Sequence, residues 1–299
     1  MKAKFLSGLA AAGAAVLFGC ATVTVDLPAI TDAPTGQRTP GKVVWHDLLT
    51  HTPEASQRFY EELFGWSFEN LPVGFGSGGG YKLIRHEGRL IGGMVDTVKL
   101  NGRTDISQWV MVLSVADVEA ATRYFSSNGG QVLTKPTDLS HRGRLAVVAD
   151  PEGALLALLQ TRDGDPPDRA ASLGDFLWDE LWSADVDRAT EFYAGLAAYD
   201  AGPPALAPEG AGAYRVLRDG ETPRAGVMAN PIEGLRPVWV NYLRVADPAA
   251  IAARAEELGG RVLVAARARD VGGQAAMVAD PSGAGIALQT WPLDGNSGE

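Results

Sequence analysis

Trp45-His46-Asp47-Leu48, followed downstream by Phe59-Tyr60-Glu61-Glu62-Leu63, returns later in the chain as Trp178-Asp179-Glu180-Leu181, followed by Phe192-Tyr193-Ala194-Gly195-Leu196. The offset is 133 residues (45 to 178), and Tyr81 and Tyr214 keep it. Trp109-Val110 echoes Trp239-Val240, Val115-Ala116-Asp117 echoes Val245-Ala246-Asp247, and Ala149-Asp150-Pro151 echoes Ala279-Asp280-Pro281, now 130 residues apart (109 to 239). A repeat of this length is a whole folding module rather than a solenoid unit. Aligning the two copies shows which chemical residues the module keeps.

Within each module the rhythm alternates between strand and helix. Residues 43–49 are apolar and aromatic, as in a strand. Pro53-Glu54-Ala55 opens a helix with Ala55, Phe59 and Leu63 at helical spacing, and Gly65 ends it. Strands are predicted at 67–71, 80–86, 89–95 and 109–115, a helix at 118–127, and strands at 131–134, 145–148 and 155–159. The order is β-α-β-β-β twice per module, and residues 173–291 repeat it. Three short strands after each helix predict an α+β fold with mixed sheets rather than a doubly wound parallel sheet. The domain reading is a leader at 1–19, a tether at 20–40, a first module at 41–160, a polar linker at 161–172, a second module at 173–292 and a tail at 293–299. Each module is long enough to bury a core of its own.

Lys2 and Lys4, the apolar run 5–18 and Leu17-Phe18-Gly19-Cys20 form an export signal, too short and too rich in Gly and Ala for a stable membrane span. The ending resembles a bacterial lipobox, which makes Cys20 the lipidation site. The protein is then expected to be exported and held to the cell envelope by its lipid alone, at the outer membrane if the host is Gram-negative, because Ala21 rather than Asp follows. Cys20 is the only cysteine, so no internal disulfide is available. A net charge of −10, with acids spread along the chain, argues against nucleic acid as a partner.

The order of strand, Phe-Tyr helix, Leu-Phe-Gly-Trp and closing Asp-Pro-Glu-Gly resembles the glyoxalase/bleomycin-resistance/dioxygenase (vicinal oxygen chelate) superfamily, over about 41–160 and again 174–291. The resemblance implies tandem modules, each of two βαβββ units forming a curved sheet around a cup that holds the site. It also implies that fusion supplies the partner module that single-module relatives gain by dimerising, and it leaves the oligomeric state open. Family enzymes hold a divalent metal on the first, fourth, fifth and eighth strands. Those positions fall here on Trp45 and Trp178, Met94-Val95 and Val227-Met228, Val110 and Val240, and Ala157 and Ala287. The expectation is therefore no metal and no other cofactor. Only a one-residue slip would make His46 a ligand, with a divalent metal as the alternative cofactor; otherwise His46 is a structural histidine. Extradiol dioxygenases, which need two His and a Glu in one module, are disfavoured.

Residues two apart on a strand share a face, so Trp45 with Asp47, and Trp178 with Glu180, present an indole and a carboxylate to each cup. Asp47 and Glu180 are the candidate acid–base residues, and Trp45, Trp178, Arg85 and Arg218 are the candidate ligand-binding residues. The alternatives are a core tryptophan, a capping acid and strand-edge arginines. His141-Arg142 is a weaker candidate at the site mouth. Gly76-Ser77-Gly78-Gly79-Gly80 lacks the following helix of a phosphate cradle and reads as a turn. The leading functional expectation is a lipid-anchored protein that binds a small, partly apolar molecule in metal-free cups. The alternatives are a glyoxalase-like lyase or isomerase and a non-catalytic interaction module.

Overall fold

A computed structural model describes residues 27–71, 80–101, 106–202, 214–269 and 272–290. The expected leader with Cys20, the start of the expected tether, Gly76–Gly79 and the tail lie outside the described residues. The first module contains β1 (Val43–Thr50), α1 (Pro53–Phe64), β2 (Ser67–Asn70), β3 (Tyr81–His86), β4 (Arg89–Asp96), α2 (Thr97–Asn101), β5 (Gln108–Ser114), α3 (Val118–Ser127), β6 (Gln131–Val132), β7 (Thr137–Leu139), β8 (Gly143–Ala149) and β9 (Leu155–Thr161). The second contains β10 (Phe176–Ser183), α4 (Val186–Ala197), β11 (Asp200–Gly202), β12 (Arg215–Asp219), β13 (Thr222–Ala229), β14 (Val238–Arg244), α5 (Pro248–Glu257), β15 (Arg261–Ala268), β16 (Gln274–Ala279) and β17 (Gly285–Thr290). The fold is α+β, with one mixed sheet per module.

The sheets are ordered β2-β3-β4-β1-β5-β9-β8-β6, with β7 on β8, and β11-β12-β13-β10-β14-β17-β16-β15. In each, the first strand sits at the centre, parallel to the fourth and antiparallel to the fifth. A bulge falls at the same place in both, between Val43 and Trp45 and between Phe176 and Trp178. It turns two successive residues, Val44-Trp45 and Leu177-Trp178, toward the cup. Several repeated sequence runs act as helix starts. Asp117 and Asp247 cap α3 and α5, accepting from Ala120 N at 2.7 Å and Ala250 N at 3.0 Å. Gly65, with φ of +68°, closes α1 in the left-handed conformation that glycine adopts without strain.

Each module buries a core of its own on its cup side, but the helix-side cores are shared between the two modules. One core joins β5, α3, β8 and β9 to α4 and the first strands of the second module, placing Phe125 against Phe192 at 5.0 Å between ring centroids. The other joins α1 and β4 to α5, β16 and β17. Periodicity identifies the apolar face of a helix but not the element that covers it. The repeated motifs meet across this seam. Tyr193 of the second Phe-Tyr run donates to Asp150 Oδ2 of the first Asp-Pro run at 3.0 Å, and accepts from Trp239 Nε1 at 2.9 Å. In the mirror position, Tyr60 accepts from Trp109 Nε1 at 2.8 Å and lies near Asp280, whose Oδ2 is buried without a partner among the described residues. Burial is the main cause that raises both tyrosines far above their ordinary range, with the opposing aspartate adding to it.

Residues 27–40 are not a loose tether. Leu27 and Ile30 are buried in the first cup, because these two apolar side chains meet an apolar sheet face there. Thr35 N and Gly36 N donate to Asp165 O (3.0 Å) and Asp163 O (3.1 Å) of the linker. The linker is fixed in the same way: buried Asp165 accepts from Thr39 N at 2.7 Å and from Thr161 Oγ1 at 2.9 Å. The stretch 27–33 forms a strap across cup 1.

Candidate functional site

In cup 1, Trp45 and Asp47 of β1 share the cup face with Tyr81 of β3, as alternation requires. Trp45 Nε1 donates to Asp47 Oδ1 at 2.9 Å, and Tyr81 Oη donates to the same oxygen at 2.7 Å. Asp47 is half-buried, and no described residue bonds its Oδ2. Gly93, across the β1–β4 ladder, leaves the space this contact fills; a Cβ there would strike both Tyr81 Oη and Asp47 Oδ1. Arg142, on the hairpin between β7 and β8, donates to Tyr81 Oη at 2.8 Å and lies over the indole of Trp45 at 4.7 Å. Burial lifts the Tyr81 hydroxyl above its usual range, opposed by the charge of Arg142 and reinforced by that of Asp47, so Tyr81 stays a neutral donor.

In cup 2, the carboxylate of Glu180 is fully buried. Oε1 accepts from Tyr242 Oη at 2.6 Å and Trp182 Nε1 at 2.9 Å, and Oε2 takes Arg269 Nη2 at 2.7 Å. Trp178 Nε1 donates to Tyr214 Oη at 3.0 Å, and Tyr214 is in turn hydrogen-bonded to Glu180, so the tyrosine links the indole to the acid. Burial opposes the charge of Arg269, but Glu180 outweighs it and holds the guanidinium protonated. Burial, and then the charge of Glu180, raise Tyr214 and Tyr242. A space of about 60 Å³ is left beside Trp182, Tyr242 and Arg269.

The expected site residues are thus brought together in part. Trp45 with Asp47, and Trp178 with Glu180, share their cups. Arg85 stands at the strap end of cup 1, near Asp32 (3.6 Å) and Glu69 (3.4 Å), and makes no bond to Asp47. Arg218 lies in β12 with Asp200 and Pro223 as register partners, away from Glu180. The arginines that do reach the cups are Arg142 and Arg269. Sequence alignment misses this correspondence because the 130-residue offset carries Arg142 onto Gly272. Tyr81 and Tyr214 were signalled by exact repetition.

His46 occupies the other face of β1. Its ring stacks on Phe176 at 3.7 Å, and its Nε2 meets Asp179 Oδ1 at 2.9 Å, an oxygen that also accepts from Asn241 Nδ2 at 2.6 Å. His46 and Asp179 occupy equivalent positions of the two copies, so the repeat meets itself at the seam. The family's metal does not fit these cups. Trp45, Val95 and Ala157 occupy the first, and Trp178, Met228, Val240 and Ala287 the second, with no carboxylate, imidazole or thiolate among them. Among the described residues, no three His, Cys, Asp or Glu gather as a metal site.

Residues 42–158 match the family model of the Glyoxalase/Bleomycin resistance protein/Dioxygenase superfamily. The chain is 30% identical over 241 residues to the putative glyoxylase CFP32 of Mycobacterium tuberculosis, covering 80% of this chain and 91% of that one. It is 31% identical over 266 residues to the anthracycline biosynthesis protein DnrV of Streptomyces peucetius, covering 83% and 93%. In fold it is similar to the Mn(II)-bound glyoxalase from Novosphingobium aromaticivorans (TM-score 0.56, 13% identity, 85% of this chain and 83% of that one). It is likewise similar to the 2,3-dioxygenase LapB from Pseudomonas sp. KL28 (TM-score 0.55, 12% identity, 89% and 97%). With two modules of this architecture and relatives that match across both, the chain belongs to the Glyoxalase/Bleomycin resistance protein/Dioxygenase superfamily.

Proposed function

We propose that the protein binds a small, partly aromatic molecule in cup 1 without a metal, and that cup 2 is a closed structural copy. The observation that carries this is the contrast between the two carboxylates. Glu180 is fully buried with both oxygens bonded, whereas Asp47 is half-buried and engaged through Oδ1 alone by the described residues. An apolar wall with an indole and one oriented acceptor suits small-molecule recognition. Equilibrium dialysis against a panel of charged and neutral naphthalene compounds tests it. At least one compound is expected to bind once per chain and to weaken ten-fold or more in the Trp45→Ala/Asp47→Ala double variant. Unchanged binding of every retained compound would remove the site.

A lyase or isomerase reading draws support from the same geometry and from the glyoxylase name of a relative. Asp47 would take a proton from a carbon acid, beside the neutral donor Tyr81. Solvent deuterium would then enter a bound ligand with the wild type and fail to do so with Asp47→Asn; the absence of exchange with any bound compound argues for binding alone.

The envelope anchor remains part of the proposal. Lipid on Cys20 would leave seven Cα steps to buried Leu27, a reach of roughly 25 Å at full extension. The strapped side of cup 1 would therefore stay near the bilayer. Fatty-acid labelling that persists in Cys20→Ser would exclude the anchor.

A further inference from the structure

Arg142 is only 3% exposed, yet among the described residues it meets no carboxylate. Its Nη1 is bonded to Tyr81 Oη, its Nε reaches the carbonyl of Pro28 at a long 3.3 Å, and its Nη2 is buried with no acceptor among the described residues. The rings of Trp45 and Tyr81, at 4.7 and 5.4 Å, supply a cation–π surface but no counter-charge. A buried guanidinium in such a setting calls for an anion, because a charge taken out of water is tolerated when it is paired and hydrogen-bonded. The second cup provides the internal standard: Arg269, from the equivalent hairpin, is paired to Glu180 at 2.7 Å.

We infer that the counter-ion of Arg142 is supplied by the ligand, and that cup 1 selects a small aromatic carboxylate. This rests on the proposal that cup 1 is a binding site and adds the head group it recognises. Nε and Nη2 form one edge of the planar guanidinium, spaced for the two oxygens of a carboxylate. That edge carries the long contact and the orphaned atom, while Nη1 on the other side is committed to Tyr81 and through it to Asp47. The carbonyl of Pro28 acts as a stand-in acceptor. Entry of the acid displaces it and lifts the strap, so that the ligand's apolar body replaces Leu27 and Ile30 against Trp45.

Calorimetric titration of the full chain with 2-naphthoate and its neutral analogue 2-naphthamide tests the inference. The acid is expected to bind at least ten-fold more tightly than the amide in the wild type. That preference should vanish in Arg142→Gln and survive in part in Arg142→Lys, with folding checked by circular dichroism. Equal binding of acid and amide, or a preference that persists in Arg142→Gln, overturns the head-group inference and leaves the cup reading standing. Binding of neither overturns both. Should Arg142→Gln fail to fold, the strap variant Leu27→Ala/Ile30→Ala decides. Several-fold tighter binding of the acid supports the inference, and unchanged affinity overturns it.

Discussion

Cup 1 and cup 2 are built on the same strands, bulge and tyrosine, yet one is completed by its own side chains and the other by the N-terminal strap. Three equivalent positions account for much of the difference. Asp47, Leu49 and Val112 in cup 1 become Glu180, Trp182 and Tyr242 in cup 2. One added methylene lets Glu180 reach Arg269, while the larger tryptophan and tyrosine donate to that carboxylate and occupy the volume. Cup 1 keeps small apolar residues and a shorter acid, and it covers its face with Leu27 and Ile30. A duplicated scaffold therefore diverges by filling one hollow and covering the other.

The largest effect is expected from Glu180→Gln. Removing the acid leaves Arg269 buried without a counter-charge, at a loss of about 3–5 kcal/mol by urea unfolding. Asp47→Asn is expected to lose only about 1 kcal/mol, since Asp47 is half-buried and holds neutral donors. Equal losses would break the comparison. Next, Leu27→Ala removes a buried contact of the strap, in a class of change that typically loses about 2–5 kcal/mol. Because the strap is peripheral, the effect should be local: faster hydrogen exchange at Thr35 and Gly36, with the global midpoint little changed. A fully cooperative loss would show that the strap is part of the core. Val112→Tyr, which copies cup 2 into cup 1, is expected to abolish ligand binding while retaining the fold; retained affinity would show that the ligand sits elsewhere.

The smallest effect concerns the seam that both cups share. Burial pushes the Asp175 carboxyl up, but the hydrogen bonds from Arg169 and His86, the Ser172 amide and the charge of Arg169 outweigh it and hold the group below the usual carboxylate range. Its folded pKa lies below the unfolded value. The stability it contributes is therefore complete above about pH 4 and is lost as pH falls through the folded value. Asp175→Asn should flatten the stability profile below about pH 4, and a slope identical to wild type would locate the acid-sensitive group elsewhere.

Much of this fold was legible because the repeated residues act at fixed places in each copy. Asp117 and Asp247 cap helices, and Tyr193 and Asp150 join across the seam, so repetition exposed them. The indole–carboxylate pairs were legible from strand alternation alone. Ownership of the cores was not, since the apolar face of α1 in sequence says nothing about α5 as its partner. The strap was hidden for a related reason: the alternating Val23, Val25 and Leu27, with Ile30 close by, mark an apolar segment but not the sheet face that Leu27 and Ile30 meet. Arg142 was legible only as a weaker candidate beside His141, and Arg269 escaped, because their hairpins differ in length and an equivalence carried by space leaves no common offset.

The crossed seam has a consequence for how such an asymmetry arises. In a pair of identical single-module chains, every substitution appears in both cups at once, and a change that fills one hollow fills the other. With the tyrosine and aspartate partners carried on one chain, each cup mutates alone while the opposite module continues to supply its core. The fused arrangement lets one half remain a fixed buttress as the other explores new ligands.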